Sequence, residues 1–189
     1  MNLYMILTGC RPQGRFTEQH DIFFGIGEHL TNLIPAIKAS WANGTVHIDA
    51  WRQVTHANGY SVNIVPRSEA PRTGGLRLFF INLGGYKPGE FDEFHYKMVI
   101  AAEDKGKAIQ LAKASAFYKH FNFPGAASHI DDKYGIDVDD IHDIEDILPA
   151  ETRSQYAIVV SPAGDAADDA MHLGYLNLAK AAKGDLVSE

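Results

Sequence analysis

The sequence predicts an α+β fold built from two β-β-α-β-β-like repeats related by internal duplication, with mainly antiparallel sheet and helices packed on one face. The first observation is that the chain of 189 residues repeats itself. Shifted by 75, residues 5–41 fall on 80–116 with 11 of 37 positions identical, among them Gly9/Gly84, Phe16/Phe91, Glu18/Glu93 and His20/His95. The echo resumes where His47-Ile48-Asp49 is answered by His129-Ile130-Asp131. Such a unit exceeds the roughly 20–50 residues of a solenoid repeat and reads as a duplicated half-domain. The second observation is a series of short apolar runs bounded by Gly and Pro, the pattern of strands and turns. The third is a helical stretch after the second strand of each half, with no crossover long enough to demand parallel pairing.

Each element follows in order. Leu3 to Thr8 is apolar and ends at Gly9, so it reads as a buried strand, and Leu76 to Leu83 is its counterpart. Gly9 to Arg15 and Gly84 to Gly89 are loops. Glu18 to Ile26 and Glu93 to Ala102 start polar and turn apolar, as second strands would. Lys105 to Lys119 carries Ala108, Ile109, Ala112 and Ala116 on one side with good helix formers elsewhere. In the first half Pro35 places the helix start near Leu33 and its end near Trp41, because proline is tolerated in the first turn. Val46 to Val54 and Tyr60 to Val65 are strands joined around Asn58-Gly59, a strong hairpin signal.

The second half then departs from the first. His120 to Ser128 reads as an inserted loop, and the acidic tract Asp131 to Asp146 stands where the first half has its hairpin. Tyr156 to Val160 is a last clear strand, and Pro162 to Asp169 an exposed loop. Met171 to Lys183 reads as a helix, or as a strand over Leu173 to Leu178 with a frayed tail. The expected organisation is a first repeat over 1–66, a linker over 67–75, a second repeat over 76–148, and a C-terminal strand and tail over 149–189. Two copies sharing one core about a pseudo-twofold axis is the expected packing.

Composition bounds the function class. A hydrophobic fraction of 46% with mean hydropathy −0.18 suits a soluble globular protein. No apolar run approaches the ~18–20 residues of a membrane span. The single cysteine, Cys10, offers neither an internal disulfide nor a thiolate cluster, which fits a reducing, cytoplasmic setting. Residues 1–75 carry six Lys/Arg against five Asp/Glu, so the remainder of a chain of net charge −7 is near −8. That surface, without a basic stripe, argues against nucleic acid as partner.

The segments LTGCRPQGRFTEQHDIFFGIG, VHIDAW and FINLGGYKPGEFDEFHYKMVIAAE resemble a bacterial family known only as domain of unknown function 1543, which occurs as one or two copies per chain. The resemblance covers roughly residues 3–65 and 77–147. Its pattern is a Gly-containing loop, then Phe-x-Glu-x-His leading into an apolar strand, then a helix and His-x-Asp. It implies the two-copy layout and carries no activity.

The residues that could do chemistry are Glu18 with His20 and Glu93 with His95, followed by His47 with Asp49 and His129 with Asp131. Residues two apart on a strand share a side, so each pair could hydrogen-bond or ligate one ion. A carboxylate beside an imidazole fixes its tautomer and raises its basicity. If the two strands are neighbours, His20, His47 and Asp49 become candidate ligands for zinc, manganese or iron. The bland alternative is that the histidines anchor loops through backbone bonds, with Asp49 and Asp131 capping a turn or pairing with a nearby cation such as Arg52 or Lys133. Arg11 and Arg15 are candidate anion-binding residues, and Cys10, near them in the same loop, could be an activated thiol or a small buried side chain. The leading functional reading is a non-enzymatic module binding a small ligand or protein across the repeats. The rivals are a metal-assisted or His/Glu acid–base enzyme, and an oligomerisation unit that would form a homodimer.

Overall fold

A computed structural model describes residues 1–71, 75–86, 89–114, 137–163 and 169–184. The first half contains β1 (Asn2–Cys10), β2 (Gln19–Gly27), a 3-10 turn leading into α1 (Ile34–Ala39), then β3 (Val46–Gln53), β4 (His56–Ala57) and β5 (Tyr60–Pro66). The second contains β6 (Arg77–Tyr86), β7 (Glu93–Ala102), α2 (Lys105–Lys113), β8 (Asp137–Asp143), α3 (Ile144–Ile147), α4 (Ala150–Gln155), β9 (Tyr156–Pro162), β10 (His172–Asn177) and α5 (Leu178–Ala181). The fold is α+β, and every described strand pairing is antiparallel.

One sheet has the order β10-β3-β1-β2, a second β7-β6-β8, and a third β9-β5-β4. In the first two sheets a central strand is flanked by its hairpin partner and by a later strand. Each also has a bulge at the corresponding place, between Leu7 and Thr8 in β1·β3 and between Asn82 and Leu83 in β6·β8. The second-half strand beside Gly84, on the side away from β7, is β8, paired Gly84↔Asp137. His129 and Asp131 lie outside the described residues, as do the predicted loop 120–128 and the end of the helix predicted to Lys119. The acidic tract, expected to replace a hairpin, instead supplies β8, because Val138 and Ile141 give it one apolar face against the α2 side of the sheet.

Alternation along the strands sorts the side chains into outer and inner faces. Outward, Tyr4, Ile6 and Cys10 of β1 meet Leu33, Ile34 and Ile37 beneath α1. Phe79, Ile81 and Leu83 of β6 meet Ala108 and Ala112 of α2. Inward, Leu3, Phe24 and Ile26 of the first sheet join Leu78, Phe80, Val99 and Ala101 of the second and Val62 of the third in one core. Phe24 and Phe80 meet edge to face, 5.5 Å between centroids. Burying that apolar surface is the dominant favourable contribution to joining the halves.

Local signals account for the boundaries. Pro35 sits in the first turn of α1, where its missing N–H costs nothing. Asn58 at φ 37° and Gly59 at φ 88° form the two-residue turn between β4 and β5. Asp104 caps α2 by accepting from the Lys107 amide. Of the two readings of the C-terminal segment the strand is found: β10 adds to the first sheet beside β3, and where a tail was expected to follow, Asn177 caps α5.

Between β5 and β9 the register is self-matching. Tyr60-Ser-Val-Asn-Ile-Val-Pro66 and Tyr156-Ala-Ile-Val-Val-Ser-Pro162 are similar strands, and they pair so that Tyr60 faces Pro162, Pro66 faces Tyr156, and Asn63 faces Val159 at the centre. Exchanging the two strands reproduces the same pairing. Arg67, just after β5, reinforces the junction with both guanidinium nitrogens on Glu145 Oε2 at 3.1 and 3.2 Å, while Glu145 Oε1 accepts from the Ile158 amide.

Candidate functional site

Gly9 is the floor of the site. It is paired with His20 on β2 and with His47 on β3, so both imidazoles stand on the inner face on either side of it. The bulge between Leu7 and Thr8 gives β3 an extra residue, and that residue, Asp49, turns into the same space. Glu18 reaches in from the loop just before β2. A Cβ placed on Gly9 would run into His47 Nε2 and Asp49 Oδ2, so only glycine lets these groups close over the strand.

The four side chains converge in a ring of contacts. His47 Nε2 lies 3.1 Å from Asp49 Oδ1 and 3.3 Å from Glu18 Oε1, and His20 Nε2 lies 3.4 Å from Asp49 Oδ2 and 3.7 Å from Glu18 Oε2. His47 is buried, with 9% of its side chain exposed, whereas Glu18 and His20 are 43% and 46% exposed. The site is thus closed at its base and open to solvent at its mouth. Asp49 Oδ2 is buried without a hydrogen-bond partner despite the imidazole beside it. A buried carboxylate oxygen so placed is costly unless something else satisfies it. Tyr175 of β10 lies against the His47 ring, 4.6 Å between centroids, and helps fix it.

The predicted set Glu18, His20, His47 and Asp49 is therefore brought together, and the contacts of both histidines run to carboxylates. Asp49 does not pair with Arg52, whose guanidinium donates to Met5 Sδ at 3.7 Å. Two imidazoles with two carboxylates are a donor set for zinc, manganese or iron. Among the described residues no three such groups already enclose one metal-sized gap. The exposed Glu18 and His20 would have to rotate inward around the fixed His47 and Asp49.

The second half carries a related cluster. His95 Nδ1 lies 3.2 Å from Asp139 Oδ2 and His95 Nε2 3.9 Å from Glu93 Oε2. Asn82 Nδ2 is 3.1 Å from His95 Nδ1 and donates to Asp140 Oδ2 at 3.3 Å. Gly84 is its floor, since a Cβ there would run into the Asp139 carboxylate. Asp139 and Asn82 were not legible as site residues, although the matched pair Gly9/Gly84 was a signal that something packs closely on both central strands.

Arg11 and Arg15 are both exposed, and Arg11 Nε donates to the Arg15 carbonyl within its own loop. Cys10 is wholly buried with its thiol toward the Asn43 carbonyl. Burial, then the nearby Glu18 charge, pushes its pKa above the ordinary value, so it is an inert thiol and not an activated one.

A groove of about 440 Å³ adjoins the four-residue cluster. Its walls include Leu7, Ile22 and Ala50 of the first sheet and Tyr96, Lys97 and Val99 of β7. Leu7 and Ile22 are the next inward positions after Gly9 and His20, a step of ~6.6 Å along a strand, and Ala50 directly follows Asp49. The groove therefore runs between the halves, its lining beginning one strand step from Gly9 and His20, and none of the four site residues lines it. Among the described residues no helix is long and apolar enough to cross a membrane.

Comparison with known proteins agrees with this architecture. No curated protein matches the chain. Its structure is similar to the crystal structure of a protein Il1583 from Idiomarina loihiensis, with a TM-score of 0.63 and 24% identity over 94% of this chain and 97% of that one, a likeness of fold. Residues 15–64, which hold Glu18, His20, His47 and Asp49, match the family described as Domain of Unknown Function (DUF1543), one copy where the sequence suggested two.

Proposed function

We propose that the protein is a metal-dependent enzyme acting on a small molecule held in the groove between its halves. His20, His47 and Asp49 are the ligands, and Glu18 is the proton acceptor. The observation that carries this is the ring of 3.1–3.7 Å contacts joining two Nε2 atoms to two carboxylates above a glycine floor. Two histidines and one carboxylate leave coordination positions open, the arrangement of reactive rather than purely structural metal sites. A divalent ion there would lower the pKa of bound water and polarise a substrate oxygen. Glu18 is the most exposed carboxylate of the set and stands beside both histidines, placed to take up a proton. The cluster around Glu93, His95 and Asp139 would be the counterpart left by a duplication, with its donors altered.

Metal content of untagged protein measured by mass spectrometry tests the reading. The expected result is one ion per chain, lost in His20→Ala and His47→Ala and retained in Glu18→Gln. Metal-free protein, with both histidine variants folding as the wild type does, would overturn it. The second reading, a non-enzymatic module, is favoured by one feature, the contribution of both halves to the groove walls. Ligand binding by metal-free protein without turnover would select it.

A further inference from the structure

The groove is apolar along most of its length, with Met5, Leu7, Ile22 and Val99 among its walls, yet it also holds two cations, Arg52 and Lys97. Arg52 follows Ala50 on the inner face of β3, and Lys97 follows His95 on β7, so they enter the groove from different halves. Both are half-buried. The one hydrogen bond described for Arg52 goes to a thioether sulfur, a weak acceptor, and no ion pair is described for either residue. The one acidic wall residue, Asp169, is already committed: its carboxylate accepts from the Thr55 amide at 3.1 and 3.2 Å and from the Thr55 hydroxyl.

We infer that the groove binds a small amphipathic anion, a carboxylate or phosphate monoester on an apolar body, with the oxyanion on Arg52 and Lys97 and the body along Met5, Leu7, Ile22 and Val99. Unpaired cations in an apolar setting are costly to keep and are satisfied by an incoming oxyanion, Arg with its planar fork and Lys as a point charge. Burial already pulls the Lys97 pKa below its ordinary value, with Asp21 opposing that pull from beyond ion-pair distance. The volume suits a molecule of drug or metabolite size rather than a polymer. An anion seated there would project its other end toward Gly9 and the histidines. The inference rests on the groove as ligand seat in the proposed function and is independent of the metal.

Displacement of the dye 8-anilinonaphthalene-1-sulfonate by decanoate, decyl phosphate and decanol tests it on the full chain. The experiment is run with excess EDTA and again with zinc. One of the two anions should displace the dye about tenfold better than decanol, and whichever is tighter identifies the head group. Arg52→Gln and Lys97→Gln should each erase most of that advantage without altering decanol, and the wild-type comparison stands even if one variant fails to fold. Equal displacement by decanol would overturn the inference, as would an anion preference unchanged in folded Gln variants. A preference seen only with zinc would also overturn it, because the anion would then sit on the metal. A preference that persists in EDTA, in protein that never takes up metal, would support this inference and reject the metal centre.

Discussion

Gly9 and His47 are cross-strand partners, and the imidazole of the second occupies the volume that a side chain on the first would need. Gly9→Ala should therefore displace His47 and Asp49 together. The expected result is metal affinity weakened at least about tenfold and stability lowered by about 1–3 kcal/mol, the ordinary cost of overpacking. Metal titration and urea unfolding measure the two separately. Gly84→Ala, whose nearest contacts all lie on Asp139, should lower stability and leave metal binding in the first half unchanged.

Asn58 does two jobs in the β4–β5 turn. Its backbone takes a positive φ, and its amide exchanges two hydrogen bonds with the Ala101 backbone, donating to the carbonyl at 3.0 Å and accepting from the amide at 2.6 Å. Asn58→Ala should cost about 2–3 kcal/mol by chemical denaturation, since it adds backbone strain to two lost bonds. Asn58→Gly should relieve the strain and recover only part of the loss. Full recovery by glycine would mean that the bonds to Ala101 contribute nothing.

Burial raises the Asp143 carboxyl above its ordinary 3.8, opposed by the hydrogen bond from the Glu145 amide and by the Arg77 charge. The folded chain then keeps this proton over a range in which the unfolded chain has released it. The associated stability is fully present below 3.8 and is lost as pH rises through the raised folded value. The unfolding free energy of wild type minus that of Asp143→Asn should fall as pH increases from 3.8 and level off once both states are ionised. A difference that grows with pH would show that the Arg77 pairing outweighs burial.

Cys10, buried beneath α1 with a raised pKa, should react with a thiol-specific disulfide reagent only as fast as the protein opens. Adding denaturant up to the unfolding midpoint should accelerate labelling in step with the unfolded fraction. Rapid labelling of the native chain would contradict the packing described.

The local elements were legible because their signals are local: Pro35 for the start of α1, Asn58-Gly59 for a turn, Glu93 to Ala102 for a strand. The convergence of Glu18, His20, His47 and Asp49 was legible only in pairs, since i,i+2 spacing fixes a side but not which strands become neighbours. The strand β8 was not legible for a physical reason. Its letters are mostly acidic, but pairing with β6 is decided by where an apolar face and a bulge can form, and Asp137–Asp143 meets both demands. The likeness of β5 and β9 escaped because the two strands stand farther apart than the 75-residue shift reaches.

The pairing of β5 with β9 is what holds an edge shut. Each strand opens on a tyrosine and closes on a proline, so the line of amides and carbonyls that β9 covers is one that a second strand of the same pattern could take. A chain cut after Pro66 would carry that line bare, and the closed way to cover it is an isologous dimer about the centre at Asn63. Here β9 supplies the second strand from within, at a local concentration that a separate molecule does not match.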